Sequence, residues 1–493
     1  MISDKFRYQL RQEAELWRAE GLIDESQYEQ LLERYQFNSL DTSARNRFVM
    51  ILIGLGSILI GLGVITFVAA NWQDLPRVAK VTLLISLFIG VNIAGFSLWK
   101  QPNEAQQRFG HGLLLLGALI LGANMGLMGQ MFHINAPLYE FLLAWGIGVL
   151  AMTYSLRLTS MGVLSIILIG LGYWDHWWNF AQSSWLRTSS IEQSWLSLIA
   201  QHMPLVACLL FIPLAYWCRS RWIFFLGAIA IVSSFKANIL LNSAPWVLAI
   251  AIALPPALLW GYDDSWWVYS NLPWHSSIRR SPGESVGSFV PISRQLALLS
   301  LGISFYFFSF NWFWVSASGT ATTASRLNWF LLLDALILTG LALFEWWRLV
   351  KQTRQRDRHD NLTTIVIGVF ICISALVPLW HISVAVIPLF ATFVFNVLLF
   401  LLATGLIREG LAQGRRRAFW GGMVLLIVRI FSWFVLSNTE LLFKSLMFIL
   451  CGVGVIAIGL WFERYVRTLR IRAGGARGEW ERGRVGEGGD ETS

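Results

Sequence analysis

Six polar side chains beside long apolar runs have the chemistry to bind a polar ligand or to relay protons. They are amide, imidazole and carboxylate groups: Asn71, Asp74, Asn124, Gln130, His133 and Glu140. Amides donate and accept hydrogen bonds, and histidine changes charge near neutral pH. Gln130 and His133 share a helix face if their helix extends that far. The set predicts a polar pocket, with hydrogen bonding between helices as the alternative.

Three charged residues lie inside apolar runs: Lys236, Asp334 and Arg429. An ionisable side chain costs about 2.5–3.5 kcal/mol in hydrocarbon on insertion scales, so each is a candidate functional residue. One interpretation is that Asp334 and Arg429 pair across helices; a purely structural pair or separate hydration are the alternatives. Lys236 lies near the end of its run, where a lysine can extend to the interface.

The sequence contains no catalytic motif of a soluble enzyme. Walker, GxGxxG, HExxH and GxSxG patterns are all missing from the chain. The cysteines have neither CxxC spacing nor neighbouring histidine clusters, which predicts no metal site and no disulfide framework; they are Cys208, Cys218, Cys372 and Cys451. We therefore predict no catalytic residue, no metal ligand and no cofactor.

The composition is typical of an integral membrane protein. The 493 residues are 56% hydrophobic and 14% charged, and the mean hydropathy is +0.56. Soluble domains have about 25% charged residues. The net charge of +9 is explained by basic residues in short loops, as membrane orientation requires, so no nucleic acid partner is predicted. The predicted partner is the lipid bilayer.

Continuous apolar runs predict an all-α, polytopic transmembrane bundle. The first run, Val49 to Ala70, follows Arg45 and Arg47 and has about the 20 residues that cross a bilayer. About 14 spans are predicted by this criterion, the others lying near 79–99, 110–130, 138–156, 159–174, 201–218, 222–241, 245–261, 295–314, 327–347, 362–379, 383–407, 419–437 and 441–461.

Basic residues concentrate in alternate loops, which predicts how the chain is threaded. The loops assigned to the cytoplasm include the run Arg415, Arg416 and Arg417. The loops assigned to the outside contain few basic residues: Arg77, Lys80, Arg187 and Arg326. Positive charge favours the cytoplasmic side of a membrane. Both ends of the chain are therefore predicted to face the cytoplasm.

The chain divides into three parts by composition. Residues 1–48 have two apolar stripes at helical spacing and predict a short cytoplasmic helical hairpin, which would bind a cytoplasmic partner or serve as a tether. Residues 49–461 form the transmembrane bundle. Residues 462–493 are rich in Gly and charge and are predicted to be disordered. Two longer loops are predicted, a Trp-rich outward one at 173–201 and a flexible inward one at 262–293.

Three segments resemble a family of predicted bacterial membrane proteins catalogued as domain of unknown function 2157. They are LWRAEGLIDESQYEQLLERY, then FVAANWQDLPR, then LGANMGLMGQMFHINAPLYEFLLAW, in that order. The resemblance covers the first 150 residues or so, including bundle residues 49–156, and the helices at 362–461 are similar to chains of this kind. It implies a multi-pass protein of the bacterial inner membrane, and no reaction.

Three functions fit these features. The first is a transporter- or permease-like bundle that binds a small polar solute or a lipid head group. The second is an envelope enzyme acting on a lipid-linked substrate, with His133 and Glu140 as acid and base. The third is a scaffold or sensor that recruits a partner through residues 1–48.

Overall fold

The computed structural model describes residues 4–35, 59, 76–186, 194–240, 245–264, 288–319, 329–352, 358–384, 386–436 and 449. All regular elements in these ranges are α-helices. The chain divides into two compact units, Met1–Gly90 and Val91–Ser493. Several predictions lie outside the described ranges, apart from single residues at 59 and 449: the first and last spans, most of the 262–293 loop and the 462–493 tail.

The first unit begins with two short helices, α1 (Asp4–Ala19) and α2 (Glu25–Tyr35). Ala14 and Tyr28 are buried where the helices pack together. Gly21 has φ +73°, a left-handed conformation that ends α1. The backbone N–H of Asp24 donates to the Gln27 side chain at 3.0 Å, which is one half of a capping box. The cytoplasmic position of this pair stays a prediction.

The third helix, α3 (Arg77–Trp99), crosses the boundary between the units, and thirteen more helices are described after it. They are α4 (Glu104–Met131), α5 (Leu138–Leu156), α6 (Thr159–Leu186), α7 (Trp195–Gln201), α8 (Met203–Trp217), α9 (Arg221–Ile239), α10 (Pro245–Gly261), α11 (Val290–Phe308), α12 (Asn311–Gly319), α13 (Trp329–Gln352), α14 (Arg358–Ser383), α15 (Pro388–Gln413) and α16 (Arg416–Leu436).

Seven of the described helices are long and apolar enough to cross a membrane, judged by length and composition. They are α3, α4, α5, α9, α11, α14 and α15, and the bent pair α7 and α8 would make eight. Many apolar side chains point away from the protein interior, among them Leu209 at 74% exposure and Leu389 at 75%. Such surfaces suit contact with lipid. The predicted total of about 14 spans stays a prediction.

Two helix boundaries differ from the sequence prediction. The span expected to end near Trp174 continues as α6 to Leu186, so much of the predicted outward loop is helical. In this extension His176 is buried and the indole N–H of Trp177 donates to the carbonyl oxygen of Ala237 at 3.1 Å, which anchors the added turns to α9. The span expected at 295–314 stops at Phe308, and a separate helix starts at Asn311.

The second unit is packed around two large apolar clusters. Phe305, Trp314 and Phe395 are fully buried at the centre of one, which joins α11, α12 and α15. The other joins α5, α6, α8 and α9. Helices α15 and α16 approach closely, since a Cβ added at Gly422 would lie 2.5 Å from the carbonyl oxygen of Ala403. Small residues allow such contacts between membrane helices.

Several tryptophans cross-link helices by donating their indole N–H to backbone carbonyl oxygens. Trp145 donates to Ala118 at 2.8 Å, and Trp346 donates to Ala257 at 2.8 Å. Within hydrocarbon, an unpaired indole N–H is costly, so these bonds stabilise specific helix pairs. A high number of tryptophans in a sequence indicates membrane interfaces, but some of the tryptophans in this chain lie between helices of the bundle.

Candidate functional site

A sharp break separates α7 from α8, and His202 lies at the break. The two helices meet at 84°. Ser194 caps the start of α7 by accepting the Ser197 N–H at 3.2 Å, and Pro204 lies in the first turn of α8. Proline fits the first turn because the N–H it lacks has no helical acceptor there. A discontinuous helix of this kind leaves backbone carbonyl groups free for other partners.

His202 contacts an acidic side chain that enters from α13. Its Nδ1 atom is 2.7 Å from Oδ1 of Asp334, and the Asp334 side chain is only 3% exposed against 23% for His202. The carboxylate's Oδ2 atom is buried and has no hydrogen-bond partner in the part of the chain that the structure describes. Whether Nδ1 donates or accepts in this contact depends on the imidazole tautomer. The contact brings together residues 132 positions apart in sequence.

The pair can change its charge by one proton. With a neutral imidazole and a carboxylate it has a net charge of −1, and with one more proton it is neutral. The observed geometry places an imidazole directly against a carboxylate within the bundle.

Polar groups from α9 and α6 hold the break in place. The side-chain amide of Asn238 donates to the carbonyl oxygen of Gln201, directly before the break, at 2.8 Å. Tyr173 donates its hydroxyl to Asn238 Oδ1 at 2.7 Å. The buried asparagine therefore has partners for both ends of its amide, and it fixes the position of His202 relative to α9.

Lys236 contacts a neighbouring helix near the end of α9. Its Nζ donates to the hydroxyl of Ser304 on α11 at 3.3 Å. The interpretation that Lys236 extends to the interface stays a prediction. The contact links α11 to α9, the helix whose Asn238 also binds the break.

Arg429 of α16 lies against a second break, at Ser309–Phe310 between α11 and α12. Its Nε donates to Oδ1 of Asn396 at 2.8 Å, and Nη2 donates to the carbonyl oxygen of Ser309 at 3.2 Å. The guanidinium carbon is 4.7 Å from the centre of the Phe310 ring. The predicted pair with Asp334 is wrong, because each residue has a different partner.

The predicted pocket near the ends of the early spans is described for four of its six residues. Asn71 and Asp74 lie outside the described residues. Asn124 is buried within α4 at 6% exposure, whereas Gln130 and His133 are exposed. Glu140, in the first turn of α5, accepts the Tyr139 hydroxyl at 3.1 Å.

His133 does not share a helix face with Gln130, because α4 ends at Met131. His133 has φ +52°, and the N–H of Ile134 donates to Gly129 at 2.9 Å. This is the Schellman arrangement in which a left-handed residue closes a helix. Glycine usually occupies that position, so His133 costs conformational energy there. The grouping of the six residues as a pocket stays a prediction.

A third polar cluster joins the two sides of the predicted inward loop. Asp264 accepts hydrogen bonds from the Tyr216 hydroxyl at 2.5 Å and from the Phe289 backbone at 2.9 Å. Burial raises the pKa of the Tyr262 hydroxyl well above its ordinary value. Asp264 thus ties the residues after α10 to those before α11. No group of three potential His, Cys, Asp or Glu metal ligands occurs among the described residues.

The sequence singled out Asp334 and Arg429 but not their partners. His202 lies between two helices and Asn396 lies within α15, and the importance of both arises from packing. One signal was present: Gln201 and His202 stand directly before Met203 and Pro204 at the start of an apolar run, and proline commonly marks a helix start.

The helices and their buried polar residues define a membrane protein with several spans. Residues 15–162 match the family described as "Predicted membrane protein (DUF2157)", which confirms the resemblance over that region. The chain is also 26% identical over 81 residues to the probable 4-amino-4-deoxy-L-arabinose-phosphoundecaprenol flippase subunit ArnE of Klebsiella pneumoniae (strain 342), covering 16% of this chain and 71% of that protein. No solved structure matches the chain. His202, Asp334 and Arg429 lie beyond the family match.

Proposed function

We propose that this protein is a transporter-like membrane protein that binds a small polar solute or a lipid head group at the break between α7 and α8. The single observation that carries the proposal is the contact of 2.7 Å between His202 at the break and Asp334 inside the bundle. Ionisable residues within membrane helices are costly, and they commonly mark substrate or proton pathways.

The break supplies what a binding site within a bilayer needs. Interrupted helices in transporters present backbone groups and helix ends to a substrate near the middle of the membrane. Here the break combines the end of α7, the start of α8, an imidazole and a carboxylate with an unused oxygen atom. A polar ligand would donate a hydrogen bond to that oxygen and stabilise the charged state of the pair.

The similarity to a probable flippase subunit favours the lipid head group over the free solute. ArnE is named for a lipid-linked amino sugar, and a head group of this kind has polar groups that could contact His202 and Asp334. The scaffold and enzyme alternatives stay predictions, because the first depends on a partner of residues 1–48 and the second on His133 and Glu140. The exposure of His133 adds no support to the second.

The test is a lipid-flipping assay with the full chain reconstituted into vesicles that contain NBD-labelled phosphatidylethanolamine. Dithionite added outside quenches the label in the outer leaflet, and flipping exposes the rest. Asp334→Asn and His202→Ala should each slow flipping at least tenfold, which corresponds to about 1.4 kcal/mol in the barrier. Uptake of labelled amino acids and sugars is measured in parallel as the solute arm.

Asp24→Asn is the matched control, because it makes the same chemical change at a helix N-cap where asparagine works about as well as aspartate. It should flip lipid at the wild-type rate. If Asp334→Asn protein, reconstituted in equal amount, is as active as the wild type in both arms, or if the wild type is inactive in both, the proposal is wrong.

A further inference from the structure

We infer that Arg429 is part of a binding site for a phosphate group, supplied by an anionic lipid at the membrane interface. The inference does not depend on transport, since the site lies at a different helix break and would bind lipid in a protein that moves nothing. The partners of Arg429 among the described residues are neutral.

A guanidinium group stays protonated in proteins, so Arg429 brings a full charge into the apolar bundle. Its hydrogen-bond acceptors are the side-chain oxygen of Asn396 and the backbone oxygen of Ser309. None of the ion pairs between described residues includes Arg429. Arg429 is half-buried, and a charge without a counter-ion is destabilising in a low-dielectric environment. A negatively charged ligand would remove that cost.

The site has unused hydrogen-bonding capacity as well as unused charge. Among the described residues, the buried Nη1 atom of Arg429 has no acceptor and the buried hydroxyl of Thr392 has no partner. Thr392 lies one helical turn before Asn396 on α15, and Asn396 donates to its carbonyl oxygen at 2.7 Å. Two orphan donors near one charge fit an oxyanion with several oxygen atoms, such as a phosphate.

The surroundings of Arg429 favour a ligand that comes from the bilayer. Val428 and Ile430, on either side of it, are each 41% exposed, so this part of α16 faces outward. Trp433, one turn further along α16, is 52% exposed, and Trp312 on α12 is 59% exposed. Exposed tryptophans mark the level of lipid head groups. A lipid phosphate would therefore be available at this height.

The ligand oxygen has to displace the atoms that now bury Nη1. Charge-assisted hydrogen bonds between guanidinium and phosphate are about twice as strong as neutral ones, and they offset that displacement. Arginine can present two parallel N–H groups to one phosphate, which a lysine cannot do. Arg429→Lys should therefore keep the charge but bind more weakly.

The experiment titrates the purified full chain with short-chain phosphatidylglycerol and follows tryptophan fluorescence and thermal unfolding. A phosphate-free glycolipid of equal chain length and inorganic phosphate are separate arms. The wild type should bind phosphatidylglycerol at least tenfold more tightly than the glycolipid. Arg429→Gln should lose this preference, whereas Arg417→Gln, the same change at the exposed start of the same helix, should keep it within twofold.

Asn396→Asp keeps the test decisive if Arg429→Gln fails to fold. It places a carboxylate beside Arg429 as an internal counter-ion, so this variant should fold and yet lose the phosphatidylglycerol preference. Wild-type binding by Asn396→Asp, or equal binding of glycolipid and phosphatidylglycerol by the wild type, would overturn the inference. Arg429-dependent binding of inorganic phosphate alone would keep the phosphate site and assign it to a soluble anion.

Discussion

At the scale of single residues, two charges of the bundle, Asp334 and Arg429, contact helix breaks. Asp334 meets His202 where α7 gives way to α8, and Arg429 contacts the Ser309 carbonyl where α11 gives way to α12. A break frees backbone groups that an intact helix would satisfy, and it provides a polar environment that hydrocarbon cannot. The cost of burying a charge is lowest at such positions, which explains why these residues are found there.

The coupling between His202 and Asp334 can be measured with a double-mutant cycle. His202→Leu alone should destabilise the protein by about 3–5 kcal/mol, because it leaves a buried carboxylate without its partner. The double variant with Asp334→Leu should be less destabilised than His202→Leu alone, since it removes both polar groups. Denaturation in mixed detergent measures the two differences.

Strictly additive losses of stability would contradict an interaction between His202 and Asp334. If the losses in stability from His202→Leu and Asp334→Leu sum to that of the double variant within about 0.5 kcal/mol, the two side chains do not interact.

At the scale of the helices, the sequence predicts elements well where apolar runs have clear ends. The spans at 138–156 and 245–261 agree with α5 and α10 at both boundaries. It fails where a boundary depends on tertiary packing. Helix α6 continues through an aromatic segment that packs inward, and α11 stops at Phe308 although the apolar character continues.

The same limit applies to the candidate sites. The cost of a charge in lipid identifies Asp334 and Arg429 from sequence alone. Their partners cannot be found in that way, because His202 and Asn396 reach them through folding of distant segments. Arg429 and Asp334 are both charged and both lie inside apolar runs, so pairing them was the simplest hypothesis, but α13 and α16 each direct the charged group to another neighbour.

The close contact of α15 and α16 gives a prediction with a built-in control. Gly422→Ala should lower the stability by about 1–3 kcal/mol, because the new methyl group would overlap the Ala403 carbonyl oxygen. Gly421→Ala, one residue earlier, has no atom within 4 Å of its new methyl group and should leave stability unchanged or slightly raised. Thermal unfolding of the two purified variants checks the difference.

Equal unfolding temperatures for the two alanine variants would contradict the close approach of these helices. A loss for Gly421→Ala alone would do so more strongly, since it would reverse the order of space available at the two positions.

At the scale of the whole molecule, basic residues at helix ends agree with a bilayer position for the bundle. Lys351 lies 3.7 Å from the ring centre of Trp347, and Arg157 lies 4.1 Å from that of Trp217. Cation–π contacts of this kind let a charge lie at the interface while the aromatic ring remains in the apolar layer. The side of the membrane that these ends face stays a prediction from the loop charges.

The central claim is that the break at His202 serves transport, which requires that the site be reached from both sides of the membrane. Gln201→Cys, next to the break, is introduced after the four native cysteines have been replaced, and a small impermeant thiosulfonate is applied to sealed vesicles from either side. Leu209→Cys, on the exposed apolar surface of α8, is the control and should resist labelling from both sides. We expect Gln201→Cys to react from both sides; reaction from one side alone at completion would contradict a transport site.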